Sequence, residues 1–168
     1  MKMQYFKTKF SFLLLALCLL SVSCQFSKGV KKDLNTGLSA SYNGLAIDDI
    51  FLTDASGNRL NNNKIKLGEK VLMVVNGVDY FTEQGGKVFP GCQIILTDKD
   101  KNELLNLPDA FADQTNGTTP AEAKTLQASL NTGQPMVSGA TYHLAVRFYD
   151  KKDKEKSISS DVDLVMQD

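Results

Sequence analysis

The sequence predicts an all-β protein, an antiparallel sandwich of about 7–9 strands. Three observations carry that expectation. From Leu38 onward, short runs of alternating apolar and polar residues are separated by Asn, Asp, Gly and Ser, the residues that favour turns. Val71 to Val75 is apolar at every position, as a strand buried on both faces or at a sheet junction is. Towards the C-terminus two longer segments, 142–149 and 158–166, keep the period of two, broken in the second at Ser160.

In chain order, Leu38, Ala40 and Tyr42 alternate ahead of Asn43-Gly44, and Ile47 to Leu52 forms a second apolar run closed by 54–58. After the asparagines 61–63, Lys64 to Leu67 is expected to pair back. Asn76-Gly77 after the central run is a tight-turn signal. Cys92 to Thr97 is a further strand, with Cys92, Ile94 and Leu96 on one side, turning through Asp98 to Asn102. Residues 106–120 carry Pro, Gly, Asn and Thr and read as a long loop. Ala121 to Leu130 is open between two readings: its second half alternates as a strand does, and its first half has the composition of a short helix. Tyr142, Leu144, Val146 and Phe148 are expected inward, with His143, Ala145, Arg147 and Tyr149 outward. The charged turn 150–156 leads to a last strand with Ile158, Val162, Leu164 and Met166 inward. Asp161 and Asp163 lie outward on what reads as an edge strand, where charge opposes aggregation.

Two local likenesses stand out. Residues 50–60 (IFLTDASGNRL) and 94–104 (IILTDKDKNEL) are similar; either the domain is duplicated, or two hairpins have converged on Asp and Asn turns. SGATYHL (138–144) resembles the tyrosine corner of immunoglobulin-like and fibronectin type III-like sandwiches. That resemblance implies that the Tyr142 hydroxyl bonds back to upstream backbone. It also implies that Leu144 faces the core, where many such domains carry a cysteine.

Ahead of the sandwich, Lys2, Lys7 and Lys9 precede an apolar stretch from Phe10 to Leu20, with no acid before Cys24. A basic start, a short apolar helix and small residues Ser21 and Ser23 compose a secretory signal. The stretch is too short to span about 30 Å of hydrocarbon. LSVSC (20–24) resembles the lipobox of bacterial lipoproteins, with Leu20 one position further from the cysteine than usual, as in the looser boxes of Bacteroidota. The competing Cys18 follows Leu17, too bulky for the cleavage pocket. The resemblance implies cleavage before Cys24 and its diacylation; two chains hold a protein stably where one does not. The expected organisation is therefore a signal peptide at 1–23, lipidated Cys24 with a flexible tether to 37, and the sandwich over 38–168. Residues 25–27 lack the Asp that retains many lipoproteins in the inner membrane, and lack an early acidic run for surface export. The expected location is the periplasmic face of the outer membrane.

The mature chain keeps 145 residues, enough to bury a core without staples. Losing three lysines leaves 16 Lys and Arg against 19 Asp and Glu, so neither nucleic acid nor an anionic surface is indicated as a partner. With Cys24 acylated, only Cys92 remains, no internal disulfide forms, and Cys92 reads as a small buried hydrophobe. The single histidine, His143, is expected on an outer face, and no zinc pattern or paired cysteines occur. Asp98, Asp100 and Asn102 have the D-x-D-x-N spacing of a calcium loop. However, Glu103 occupies the place of the glycine that such a loop needs, and Asp109 that of the closing glutamate. A solvated hairpin turn is the competing reading. No catalytic residue and no cofactor are expected. The expected role is a non-enzymatic, lipid-anchored binding or structural module with an envelope protein partner. The alternative is an accessory glycan-binding lipoprotein of a polysaccharide-uptake system, which needs a coplanar pair of exposed aromatics from Tyr80, Phe81 and Tyr149.

Overall fold

A computed structural model describes residues 27–168; the segment expected to be a signal peptide, with Cys18 and Cys24, lies outside the described residues. Ten strands are present among the described residues: β1 (Lys28–Lys32), β2 (Ser39–Asn43), β3 (Asp49–Asp54), β4 (Lys64–Lys66), β5 (Lys70–Asn76), β6 (Pro90–Thr97), β7 (Glu103–Leu107), β8 (Thr125–Asn131), β9 (Thr141–Asp150) and β10 (Ser157–Gln167). They form two sheets, one of seven strands ordered β1-β2-β10-β9-β6-β7 with β4 also on β10, and one of three ordered β3-β5-β8.

This order is that of an immunoglobulin-type sandwich. The run β6-β9-β10 supplies the C, F and G strands with β7 as C′, and β3-β5-β8 supplies A, B and E. All pairings are antiparallel except β4 with β10. The core between the sheets is built from the inward sets foreseen in the sequence. Cys92, Ile94 and Leu96 of β6, Leu144, Val146 and Phe148 of β9, and Ile158, Val162, Leu164 and Met166 of β10 face Ile50, Leu52, Val71, Met73, Val75 and the alternating residues of β8. Val74, on the other face of β5, is buried as well, in keeping with the all-apolar run.

Ala121 to Leu130 resolves into both of its readings: a 3-10 turn over Glu122–Lys124 and then β8. The turn is held by reciprocal bonds, Thr119 N–H to Glu122 Oε2 at 3.0 Å and Glu122 N–H to Thr119 Oγ1 at 3.2 Å, a capping box that the sequence T-P-A-E encodes.

Four expectations need correction. The strands number ten rather than about 7–9, because β1, β4 and β7 are short additions to the large sheet. Residues 28–32, expected within the tether, form β1, paired with β2 from Lys28↔Asn43 to Lys32↔Ser39. Val30 is 65% exposed, so β1 has no inward apolar set to reveal it and is held by its backbone ladder. Asp33 then turns the chain, accepting from Thr36 Oγ1 and Asn35 N–H at 3.1 Å, so the fold begins near residue 28, not 38. Next, β4 pairs in parallel with the end of β10 instead of folding back on its sequence neighbour. Finally, β10 is internal, flanked by β9 on one side and by β2 and β4 on the other. The charges of Asp161 and Asp163 mark its solvent face, not a free edge.

Candidate functional site

The outer face of the large sheet is open to solvent among the described residues, and register aligns its side chains in rows. Gln93, Arg147, Ser159 and Ser41 form one row, and Ile95, Ala145, Asp161 and Ser39 the next. A third row runs Thr97, His143, Asp163. Ala145 is the smallest of the outward residues of β9, so its position is a dip between taller neighbours. The result is a shallow groove of about 480 Å³ lined by Gln93, Ile95, His143, Arg147, Ser159 and Asp161.

Several of these groups are fixed by the sheet itself. His143 Nδ1 and Asp163 Oδ1 are 2.9 Å apart, and Ser39 Oγ donates to Asp161 at 3.1 Å. Arg147 donates to the Lys154 carbonyl at 2.7 Å and lies 5.4 Å from the Tyr149 ring centre. That ring in turn covers Gly91, where an added Cβ would stand 2.3 Å from it. One guanidinium bond therefore leaves most of the five Arg147 donors for a ligand. The groove offers an aliphatic floor of Ala145 and Ile95, flanked by donors from Arg147 and an acceptor from Asp161. Such a surface can hold a ligand through hydrogen bonds and apolar contact. Ser159 stands opposite Arg147, four residues along β10 from the aspartate that binds His143. At roughly 3.3 Å per residue that is about 13 Å, too far for the histidine to activate the serine hydroxyl.

The calcium-loop candidate is committed to its own turn. Asp98 Oδ1 accepts the N–H groups of Asp100 and Asn102 at 2.8 and 2.9 Å, and Oδ2 accepts the Asn102 amide at 2.9 Å. Hydrogen bonds from Asn102 hold the Asp98 carboxyl below its ordinary value. The 54–58 turn repeats the arrangement, with Asp54 accepting from Ser56 and Asn58 at 2.8 and 2.9 Å and from the Asn58 amide at 2.9 Å. The same bonds form with serine at the middle position, so they do not depend on Asp100. Among the described residues, no three His, Cys, Asp or Glu side chains gather as a metal site would require. Both oxygens of the Asp98 carboxylate are engaged within the turn.

Cys92 is fully buried, and burial, with Asp109 nearby, pushes its thiol up to about 12. Tyr142 is the second residue of β9, its hydroxyl accepts Val137 N–H at 3.0 Å, five residues upstream, and Leu144 is buried in the core. Among the described residues, no ring contact joins the aromatics of the glycan alternative. Phe81 is packed against the core, Tyr149 is on the sheet face, and Tyr80 is the exposed ring of the three. Among the described residues the one close ring pair is Phe111 with Phe148, at 6.2 Å. The sequence placed His143, Ala145, Arg147 and Tyr149 outward, but the groove also needs β6 and β10 beside them, and no local signal states that register.

Fold and groove together describe an immunoglobulin-type sandwich domain with a polar depression on its larger sheet. No family model matches the chain, and no curated protein matches it. Among solved structures, the C-terminal domain of wzt is similar at a TM-score of 0.49 with 11% identity, over 86% of this chain and 80% of that one. The PmoD soluble domain from Methylocystis sp. ATCC 49242 (Rockwell) is similar at a TM-score of 0.37 with 9% identity, over 82% of this chain and 95% of that one. Neither likeness carries an argument about function. No helix of the described residues is long and apolar enough to cross a membrane.

Proposed function

We propose that the chain is a non-enzymatic binding module of the bacterial cell envelope, held to the membrane by a lipid on Cys24, with the groove over Ala145 as its contact surface. The observation that carries this reading is the groove, an open sheet face with a small aliphatic floor and donors of Arg147 left over after its internal bond. Support for the anchor comes from the lipobox-like 20–24 segment and the basic, acid-free leader. The side chains of this face stand on strands paired on both sides, which suits a surface that recognises a partner without rearranging.

Crosslinking in intact envelopes with a photoreactive residue at Gln93 tests the reading. The expected result is a discrete partner that is lost when Arg147→Glu reverses the charge beside it. Background-level capture with the folded protein would overturn it. A glycan array run in parallel checks the alternative, for which silence is the expected outcome.

A further inference from the structure

The chain between the anchor and the sandwich is very short. The Ser27 carbonyl already accepts Gly44 N–H at 2.7 Å, and β1 begins at the next residue. From Cys24 to Ser27 is three residues, which reach at most about 11 Å even when extended. The polar zone of one bilayer leaflet is itself roughly 5–8 Å deep. A cysteine whose acyl chains lie in the hydrocarbon therefore leaves Ser27 within a few ångströms of the lipid headgroups.

Ser27 sits at one pole of the sandwich, and its neighbours are known. Gly44 is packed by Lys156, whose Cγ is 2.7 Å from where a Cβ would be, and Lys156 Nζ donates to the Tyr80 carbonyl at 2.9 Å. Asn43 donates to the Glu155 carbonyl at 2.9 Å. Together Asn43, Tyr80, Phe81, Glu155 and Lys156 line a depression of about 400 Å³. Tyr80 is held in a left-handed conformation, φ 68°, with its N–H donating to Asp79 Oδ1 at 2.9 Å, and is 42% exposed. A bulky residue rarely adopts that backbone, and an amphipathic ring suits the headgroup level.

Resting on the lipid-anchor reading, we infer that this pole, the Tyr80–Phe81 segment with the 150–156 turn, lies against the headgroup layer of the membrane that holds Cys24. The short chain sets the contact. Charge does not, because Lys152, Lys154 and Lys156 alternate with Asp153 and Glu155. The strands then rise from the surface, and Ala145, five residues up β9 from Asp150, stands about 16 Å above this pole. The groove opens sideways, reachable by a partner in the same envelope layer.

The test uses the full-length, lipid-modified protein in phosphatidylethanolamine vesicles containing a headgroup-nitroxide lipid. An environment-sensitive fluorophore is placed at Lys154→Cys in the near turn or at Lys99→Cys in the turn at the far pole. Both sites are exposed, and buried Cys92 does not compete for label. The expected result is quenching several-fold stronger at 154 than at 99, unchanged when phosphatidylglycerol is added. Equal quenching, or stronger quenching at 99, with acylation verified by the mass of the N-terminal peptide, would overturn the orientation while leaving the anchor standing. An unmodified N-terminal peptide would overturn both.

Discussion

At the scale of single residues, the structure rests on a few contacts that cannot be exchanged for similar ones. The Tyr142 hydroxyl accepts Val137 N–H across the turn before β9. Tyr142→Phe keeps the buried ring and removes this bond, so the expected loss is about 1 kcal/mol, read as a lower urea midpoint at unchanged slope. The corner was legible in SGATYHL because tyrosine, a turn and the strand start lie within seven residues. The pairing of Gly91 with the Tyr149 ring was not, since it joins residues on different strands. Gly91→Ala places a methyl group 2.3 Å from that ring, and an overpacking cost of roughly 1–3 kcal/mol is expected. Burial also sets the reactivity of Cys92. With its thiol pushed up to about 12 by burial and by Asp109, the native protein holds almost no thiolate at neutral pH. Maleimide labelling is therefore expected only at the rate of unfolding, and rapid labelling of folded protein would contradict the burial.

At the scale of elements, the two Asp–Asn turns explain the similarity of 50–60 and 94–104. Each ends a strand with the same carboxylate bonds, yet β3 then pairs with β5 and β6 with β7. The likeness is thus matched by a shared turn geometry, while the strands around it occupy different sheets. Strand faces were legible wherever one side is buried, which is why β6, β9 and β10 were foreseen, while β5 was read from its all-apolar run. The strand β1 escaped because it pairs with β2 through its backbone and carries no inward apolar set, and backbone pairing leaves no hydrophobic period in the sequence. The loop after β7 is latched by one carboxylate. Asp109 accepts the N–H groups of Cys92 and Phe111 at 3.1 and 2.9 Å and meets Lys151 Nζ at 2.8 Å. Burial alone would raise its pKa, but the Lys151 ammonium and the two N–H donors outweigh it and hold the carboxyl below its ordinary value. A depressed acid contributes stability that is fully present above the unfolded value of about 3.9 and is lost as the pH falls through the lower folded value. Asp109→Asn is expected to melt below the parent at pH 7, and the gap between the two is expected to narrow as the pH is lowered below about 4. A gap that stays constant with pH would show that the latch does not act through its charge.

At the scale of the whole molecule, seven strands face three across one core. Which strands share a sheet was the least legible property, because it depends on pairings such as β2 with β10 that join residues more than a hundred positions apart. Many immunoglobulin-type domains join their sheets with a disulfide between the B and F strands, and removing such a bond from a small domain costs about 2–5 kcal/mol. Here Leu144 on β9 and Met73 on β5 belong to the same buried cluster, and among the described residues Cys92 is the one cysteine, free and buried. The sheets must therefore be held together by apolar packing. Two consequences can be measured. Thermal unfolding of the domain is expected to be a single transition whose midpoint does not move when a thiol reductant is added. Phe148, fully buried at the end of the core where it meets Phe111, is expected to cost about 3–5 kcal/mol when replaced by alanine, a large share of the 5–15 kcal/mol typical of a domain. A melt that shifts with reductant, or a Phe148→Ala variant as stable as its parent, would mean that something other than this core joins the two sheets.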